Sequence, residues 1–284
     1  MAIPSCATRG ERLWAWCFRG ICALIFLFLV GPLLVIIPLS FNAEPYFTFT
    51  PGMLNLQPDA FSLRWYHEFF TSEAWLSAIK NSLIIGVCST VLATVLGTFA
   101  ALGLSSRHMP FKGVFMAVLI SPMIVPLIIS AAAMFFFFSK MQLSQTFAGV
   151  ILAHTVLGIP FVVITVTATL SGFDNTLTRA ANSLGASPTR AFFKVVLPLV
   201  APGVISGALF AFITSFDEVV VVLFIAGPEQ RTIPIQMWSG IREQISPTIL
   251  AVATLLVAVS VLLLATLELI RRRNERLRGM TPAE

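Results

Sequence analysis

Six continuous apolar stretches dominate the chain, at about 20–41, 78–104, 113–138, 147–170, 201–226 and 247–270. Each reaches the roughly 20 residues that a helix needs to cross a hydrocarbon core of about 30 Å. The runs are unbroken rather than alternating, which predicts helices and not barrel strands. The polar segments between them are short, the longest having about 36 residues, so none is long enough for a soluble catalytic domain. The pattern predicts an all-α integral membrane protein, with residues 1–284 forming a single transmembrane domain of six helices.

Composition agrees: 57% of the residues are hydrophobic and 11% are charged, where a soluble domain carries about 25% charge. Orientation follows from Lys and Arg in the loops. With both termini cytoplasmic, thirteen of the 18 basic residues fall inside, from Arg9 to Arg278. Only Arg64, Lys140, Arg231 and Arg242 lie outside, with Lys80 at the mouth of the second span. The net charge of +5 is then a topology signal and not a nucleic-acid surface. The first span is too long for a signal peptide and no small-residue cleavage site follows it, so it reads as an uncleaved anchor. Trp14 and Trp16 precede it at the inner interface. Glu268 is placed to pair with Arg271 or Arg272 at the end of the last span.

The chemistry that is missing narrows the function. No lysine follows a glycine, so there is no P-loop, and neither a zincin nor a GxSxG motif occurs. His67, His108 and His154 fall in different topological zones and predict no metal site. Cys6, Cys17, Cys22 and Cys88 form no CxxC pair and predict no disulfide. No catalytic residue and no resident cofactor is expected. Uphill transport through this chain would draw its energy from a partner or an ion gradient. No clear inverted repeat relates residues 1–142 to 143–284, which weighs against a stand-alone secondary transporter without removing it.

The segment 171–200 does not read as a linker. Asp174 or Asn175 can cap a short helix, on which Leu177, Ala180, Ala181 and Leu184 form one small apolar face. Gly185 can end that helix in the left-handed region. Ser187 and Pro188 fit the N-cap and first position of a second helix, and Pro198 and Pro202 predict a break before span five. Such a helical hairpin packs either on its own bundle or against a soluble partner.

The run Arg179-Ala180-Ala181, Gly185 and Val195-Val196-Leu197-Pro198 resembles the EAA loop of ABC-importer permeases, whose pattern is E-A-A, three residues, G, nine residues, I-x-L-P. The spacing matches, but Arg179 stands where the family has Glu. Further similarity lies in Phe61–Tyr66, in Asn81-Ser82-Leu83, in Ser215–Glu218 and in Thr232-Ile233-Pro234. These resemble the second permease subunit of spermidine/putrescine importers. The resemblance implies a type I importer permease (MetI-like) fold in a bacterial inner membrane. It also implies three partners: a cytoplasmic ABC ATPase dimer that binds ATP and Mg, a second and different permease subunit, and a periplasmic substrate-binding protein. The loop residues Arg179, Ala180, Ala181, Gly185 and Pro198 would couple to the ATPase. The implied cargo is a polyamine, with aminobutyrate, aminoethylphosphonate or an opine as alternatives.

Two carboxylates interrupt span five. At 1.5 Å per residue, Asp217 and Glu218 lie roughly 24 Å along a helix from Ala201, in the outer third of the bilayer. Charges at such depth are costly and belong in a bundle interior or a wet pathway. They either line a path for a cationic substrate or pair with neighbouring groups to hold an outer gate. Asn81, near the outer mouth of span two, is a further candidate for pathway, gate or interhelical hydrogen bond. Gly203 and Gly207 predict close helix packing, within the chain or at a permease–permease interface.

Overall fold

The computed structural model describes residues 8–106, 108–243 and 246–277, with the backbone alone at 175, 242–243, 263, 267–268 and 270–277. Cys6 and the side chains of Glu268, Arg271 and Arg272 therefore lie outside the described residues. In chain order the elements are α1 (Arg9–Leu39), α2 (Pro51–Leu54), α3 (Arg64–Thr71), α4 (Glu73–Ser105), α5 (Lys112–Ile124), α6 (Leu127–Lys140) and α7 (Phe147–Ser171). They continue with α8 (Asn175–Ser183), α9 (Pro188–Ala191), a π-helical turn (Phe192–Val196), α10 (Leu197–Phe216), α11 (Val220–Ile225), α12 (Ile233–Glu243) and α13 (Thr248–Leu277). Among the described residues the only β feature is an isolated bridge between Asn42 and Phe61.

Five of the described helices are long and apolar enough to cross a membrane. A sixth crossing requires α5 and α6 to count as one span, and these are bent by 104° at their junction. The stretch expected to be one helix over 113–138 is thus broken. Pro126 drives Val125 out of the helical region, to ψ 134°, because the proline ring collides with a helical predecessor.

The chain forms two compact units, residues Met1–Thr71 with Glu243–Val259, and Ser72–Arg242 with Ser260–Glu284. In the first, Thr8 and Glu11 cap each other at the start of α1. Beyond α1, the Trp65 indole donates to the Asn42 carbonyl at 2.8 Å, and Ser40 and Tyr66 hydroxyls meet at 2.6 Å. Thr248 at the start of α13 donates to the Glu68 carboxylate at 2.8 Å.

The second unit is built on a seam of small residues shared by α4, α7 and α10. A methyl group added to Gly158 of α7 would touch both Ala93 and Ala211 at 3.1 Å. One added to Gly97 of α4 would fall 2.7 Å from Val162. On α10, Gly203 and Gly207 face Thr169 and Thr165 of α7, and a Cβ on Gly207 would lie 2.8 Å from the Val162 Cα. The glycine pair therefore packs within the chain. Ala93, Ala101, Val162, Val166 and Ala211 form one buried cluster along this seam. A second cluster joins Ile85, Val150 and Leu157 to Val221, Val222 and Ile225 of α11 and to Phe138 of α6.

The seam carries a prediction. Gly207→Leu drives a side chain into backbone that cannot retreat without parting α7 from α10, so we expect a loss of about 1–3 kcal/mol. Thermal aggregation of the detergent-solubilised chain reads this directly. A melting temperature equal to that of the parent contradicts the packing described here.

Candidate functional site

The 171–200 segment forms the turn chemistry its residues prescribe. The Asp174 carboxylate accepts from the Thr176 amide at 2.9 Å and from its hydroxyl at 2.6 Å. These hydrogen bonds, the hydroxyl first, hold the carboxyl below its ordinary pKa. α8 then ends in a Schellman turn: Gly185 sits at φ +83°, its amide donates to Asn182 and the Ala186 amide donates to Ala181, each at 3.0 Å. Ser187 caps the next turn with Pro188 in its first position.

The apolar face of α8 does not turn inward. Leu184 is 90% exposed and Leu177 is 45% exposed. Ala180, Arg179 and Gly185 are exposed as well, and Ala181 is half-buried. A Cβ at Gly185 would meet nothing within 4 Å, so the glycine is required by its backbone angle and not by crowding within this chain. Of the two placements open to the hairpin, the structure leaves Leu177, Ala180 and Leu184 of its apolar face exposed.

The expected break at Pro198 and Pro202 is absent. Helix continues from Pro188 to Phe216 because the π turn Phe192–Val196 precedes Pro198, with the Leu197 amide reaching back to Phe192. A proline collides with the carbonyl four residues earlier in an α-helix, and the wider π turn removes that conflict. Pro198 itself is exposed.

The acidic pair marks the break that the prolines do not. α10 stops at Phe216 and α11 starts at Val220, so 201–226 is two helices rather than one. The Glu218 carboxylate accepts the Val221 amide at 2.8 Å and is buried, at 8% exposure. It satisfies a first-turn donor that a helix start otherwise leaves orphaned. Asp217 remains tied to α10 through its amide, which donates to Ile213 at 3.0 Å. Its carboxylate is exposed and has no partner among the described residues. The two carboxylates thus differ: Glu218 is buried and engaged by backbone, and Asp217 is exposed.

Asn81 is a clasp. Its amide donates to the carbonyls of Glu229 at 2.8 Å and Arg231 at 2.9 Å, and the neighbouring Ser82 hydroxyl accepts the Ile233 amide at 2.8 Å. Together they fasten the turn 227–233 to the start of α4. Beside it opens a cavity of about 560 Å³ lined by Lys80, Asn81, Glu229, Arg231 and Gln236, among others. Removing a buried amide that serves two carbonyls costs about 1–3 kcal/mol, so Asn81→Leu should speed hydrogen exchange through 229–233 without changing it in α7. Unchanged exchange in the turn contradicts the clasp.

One buried polar cluster escaped the sequence reading. The His154 ring of α7 lies 2.7 Å from the Ser215 hydroxyl of α10, and Ser89 of α4 reaches the same oxygen at 3.0 Å. The available signal was periodic: His154, Ser215 and Ser89 each stand four residues from a seam residue, Gly158, Ala211 and Ala93.

Residues 93–276 match the family described as "Binding-protein-dependent transport system inner membrane component". The chain is 30% identical to the spermidine/putrescine transport system permease protein PotC of Haemophilus influenzae, over 88% of this chain and 94% of that protein. It is 32% identical to the putrescine transport system permease protein PotI of Escherichia coli, over 81% of this chain and 82% of the relative. Among solved structures, a bacterial ABC transporter involved in the import of the acidic polysaccharide alginate superposes with a TM-score of 0.75, at 13% identity. That match covers 94% of this chain and 99% of the other.

Proposed function

The chain belongs to the family of binding-protein-dependent transport system inner membrane components, and from that premise we propose that it is a permease subunit of an ATP-driven importer of polyamines. Putrescine and spermidine enter as the substrate class through the two relatives named for their transport. The exposed Asp217 supports the same class on physical grounds, because a carboxylate at the end of a span favours a chain of ammonium groups.

The observation that carries the energy-coupling half of this reading is the unpacked face of α8. Leu177, Ala180 and Leu184 form an exposed apolar patch held rigid by an N-cap and a Schellman turn. An exposed apolar surface of this kind marks a docking site, and the partner is a cytoplasmic ATPase dimer, which binds ATP and Mg. The orientation follows the basic residues, which place 171–200 and both termini in the cytoplasm. A substrate-binding protein delivers from the periplasm to the side carrying 227–233. A second permease completes the pathway, which is exposed alternately to each side.

The α8 face transmits closure of the ATPase to α10 through the Gly185 turn and the continuous helix from Pro188 to Phe216. The far end of that helix is the Asp217 break. One turn and one continuous helix therefore link the ATPase contact to the acidic site.

Uptake of labelled putrescine, spermidine and aminobutyrate tests the substrate. The assay uses cells lacking their own polyamine uptake and expressing this chain with its neighbouring genes. Loss of putrescine or spermidine uptake on deleting this chain is expected. Retention of both, with loss of aminobutyrate uptake instead, overturns the polyamine assignment.

A further inference from the structure

The layer formed by His154, Ser215 and Ser89 sits on the α4–α7–α10 seam, and the transport reading above gives it no task. The three residues are exposed by only 1%, 5% and 2%. They lie one helical turn along from the Gly158–Ala93–Ala211 contact, at the last turn of α10. In one consistent assignment the Ser89 hydroxyl donates to Ser215, Ser215 donates to the ring Nδ1, and the ring proton sits on Nε2. That second nitrogen is buried without a partner among the described residues.

An imidazole with an orphaned nitrogen is a poor filler for a seam of Gly and Ala, since a leucine or methionine of similar volume brings no unsatisfied polar atom. What the ring supplies, and an apolar residue does not, is its bond to Ser215. Ser215 precedes the end of α10 by one residue and Asp217 by two. The Asp217 amide is held in the same turn by the Ile213 carbonyl. Whatever fixes the rotation of that turn fixes where the Asp217 carboxylate points. Ser215 is held from two sides, by α4 and by α7, so the turn cannot roll without breaking a buried hydrogen bond.

We propose that His154 is a positioning residue for transport: through Ser215, braced by Ser89, it sets the last turn of α10 and so the direction in which Asp217 meets a cationic substrate. The proposal rests on the reading of Asp217 as the carboxylate that faces the polyamine. His154 does not touch substrate.

The test is putrescine uptake by the complete complex reconstituted in lipid, with each variant matched for assembled complex. His154→Leu is expected to raise KM by about ten-fold with Vmax changed by less than about two-fold. Ser215→Ala removes the same hydrogen bond with little change of volume and should give the same shift, which covers the case in which the leucine variant fails to assemble. His154→Asn keeps an amide near the Nδ1 position and should restore KM to within about three-fold of the parent. In an Asp217→Asn background, His154→Leu should add less than about two-fold, because both changes act on one interaction.

Three results overturn the proposal. The first is an unchanged KM in both His154→Leu and Ser215→Ala. The second is an equal fold-loss from His154→Leu with and without Asp217. The third is a loss confined to Vmax that His154→Asn does not rescue. If Asp217→Asn alone leaves KM unchanged, the reading of Asp217 fails first, and the proposal falls with it for a distinguishable reason.

Discussion

Gly185→Val will uncouple transport from ATP hydrolysis, while Gly185→Asn will keep most of it. Gly185 stands at φ +83° in open space, so the substitution meets no steric neighbour and acts on the backbone alone. A left-handed conformation costs an ordinary residue about 1–2 kcal/mol, and a β-branched one more. Asn visits that region at much lower cost. Valine therefore opens the Schellman turn that holds Leu184 beside Leu177 and Ala180, and the apolar face of α8 loses its shape. A loss of roughly ten-fold or more in ATP-driven uptake follows if that face docks the ATPase, since about 1.4 kcal/mol is a factor of ten. Co-purification of the ATPase with the permease should fall in parallel, while the amount of folded permease stays the same. Normal uptake in Gly185→Val means that the α8 face is not the docking surface.

Asp217→Asn and Glu218→Gln will differ sharply, although the residues are adjacent. Asn at 217 removes an exposed charge from the end of α10. Two unit charges 4 Å apart interact by about 4 kcal/mol at an effective dielectric of 20. Even partial engagement therefore raises the KM for putrescine by about ten-fold or more. Gln at 218 keeps an oxygen that can accept the Val221 amide, so KM should move by less than about two-fold. Glu218→Ala loses the cap and destabilises the break by about 1 kcal/mol, lowering the yield of folded protein more than substrate affinity. Initial rates of putrescine uptake across a concentration series separate these outcomes. If the Gln variant carries the larger KM effect, the division of labour between the two carboxylates is reversed.

Which of these features could be read from the sequence follows from their range. The Asp174 cap, the left-handed Gly185 and the Ser187–Pro188 start are decided within four or five residues, by hydrogen bonds and backbone angles that belong to those residue types. They appear as the sequence predicts. The apolar content of the spans is equally legible, because the length needed to cross a bilayer is a local count, but their continuity is not.

Breaks within spans were harder to place. Pro198 and Pro202 read as interruptions, yet the helix from Pro188 runs through both to Phe216, and α7 likewise runs through Pro160. Between α5 and α6, by contrast, the chain bends by 104° at Pro126. A π turn upstream absorbs Pro198, and nothing in the residues Phe192–Val196 announces it. Conversely, the Asp217–Glu218 pair reads as two charges on a helix until the Glu218 side chain is seen capping α11.

The partners in long-range pairings were not legible. Asn81 contacts carbonyls about 150 residues away. His154 looked like an isolated histidine because its partners lie 61 residues and more from it in sequence. Backbone carbonyls leave no trace in residue identity, so the clasp made by Asn81 depends on the fold that brings 229–231 to the start of α4.

The measurement that tests the account most directly is ATP hydrolysis by the complex, co-expressed with its neighbouring genes and reconstituted in lipid. The binding protein is added empty, and then loaded with putrescine, spermidine or aminobutyrate. The account predicts that the putrescine- or spermidine-loaded form stimulates hydrolysis well above the empty form, and that Gly185→Val abolishes the stimulation. A complex that purifies without an ATPase, or hydrolyses ATP at one rate whatever is added, contradicts it.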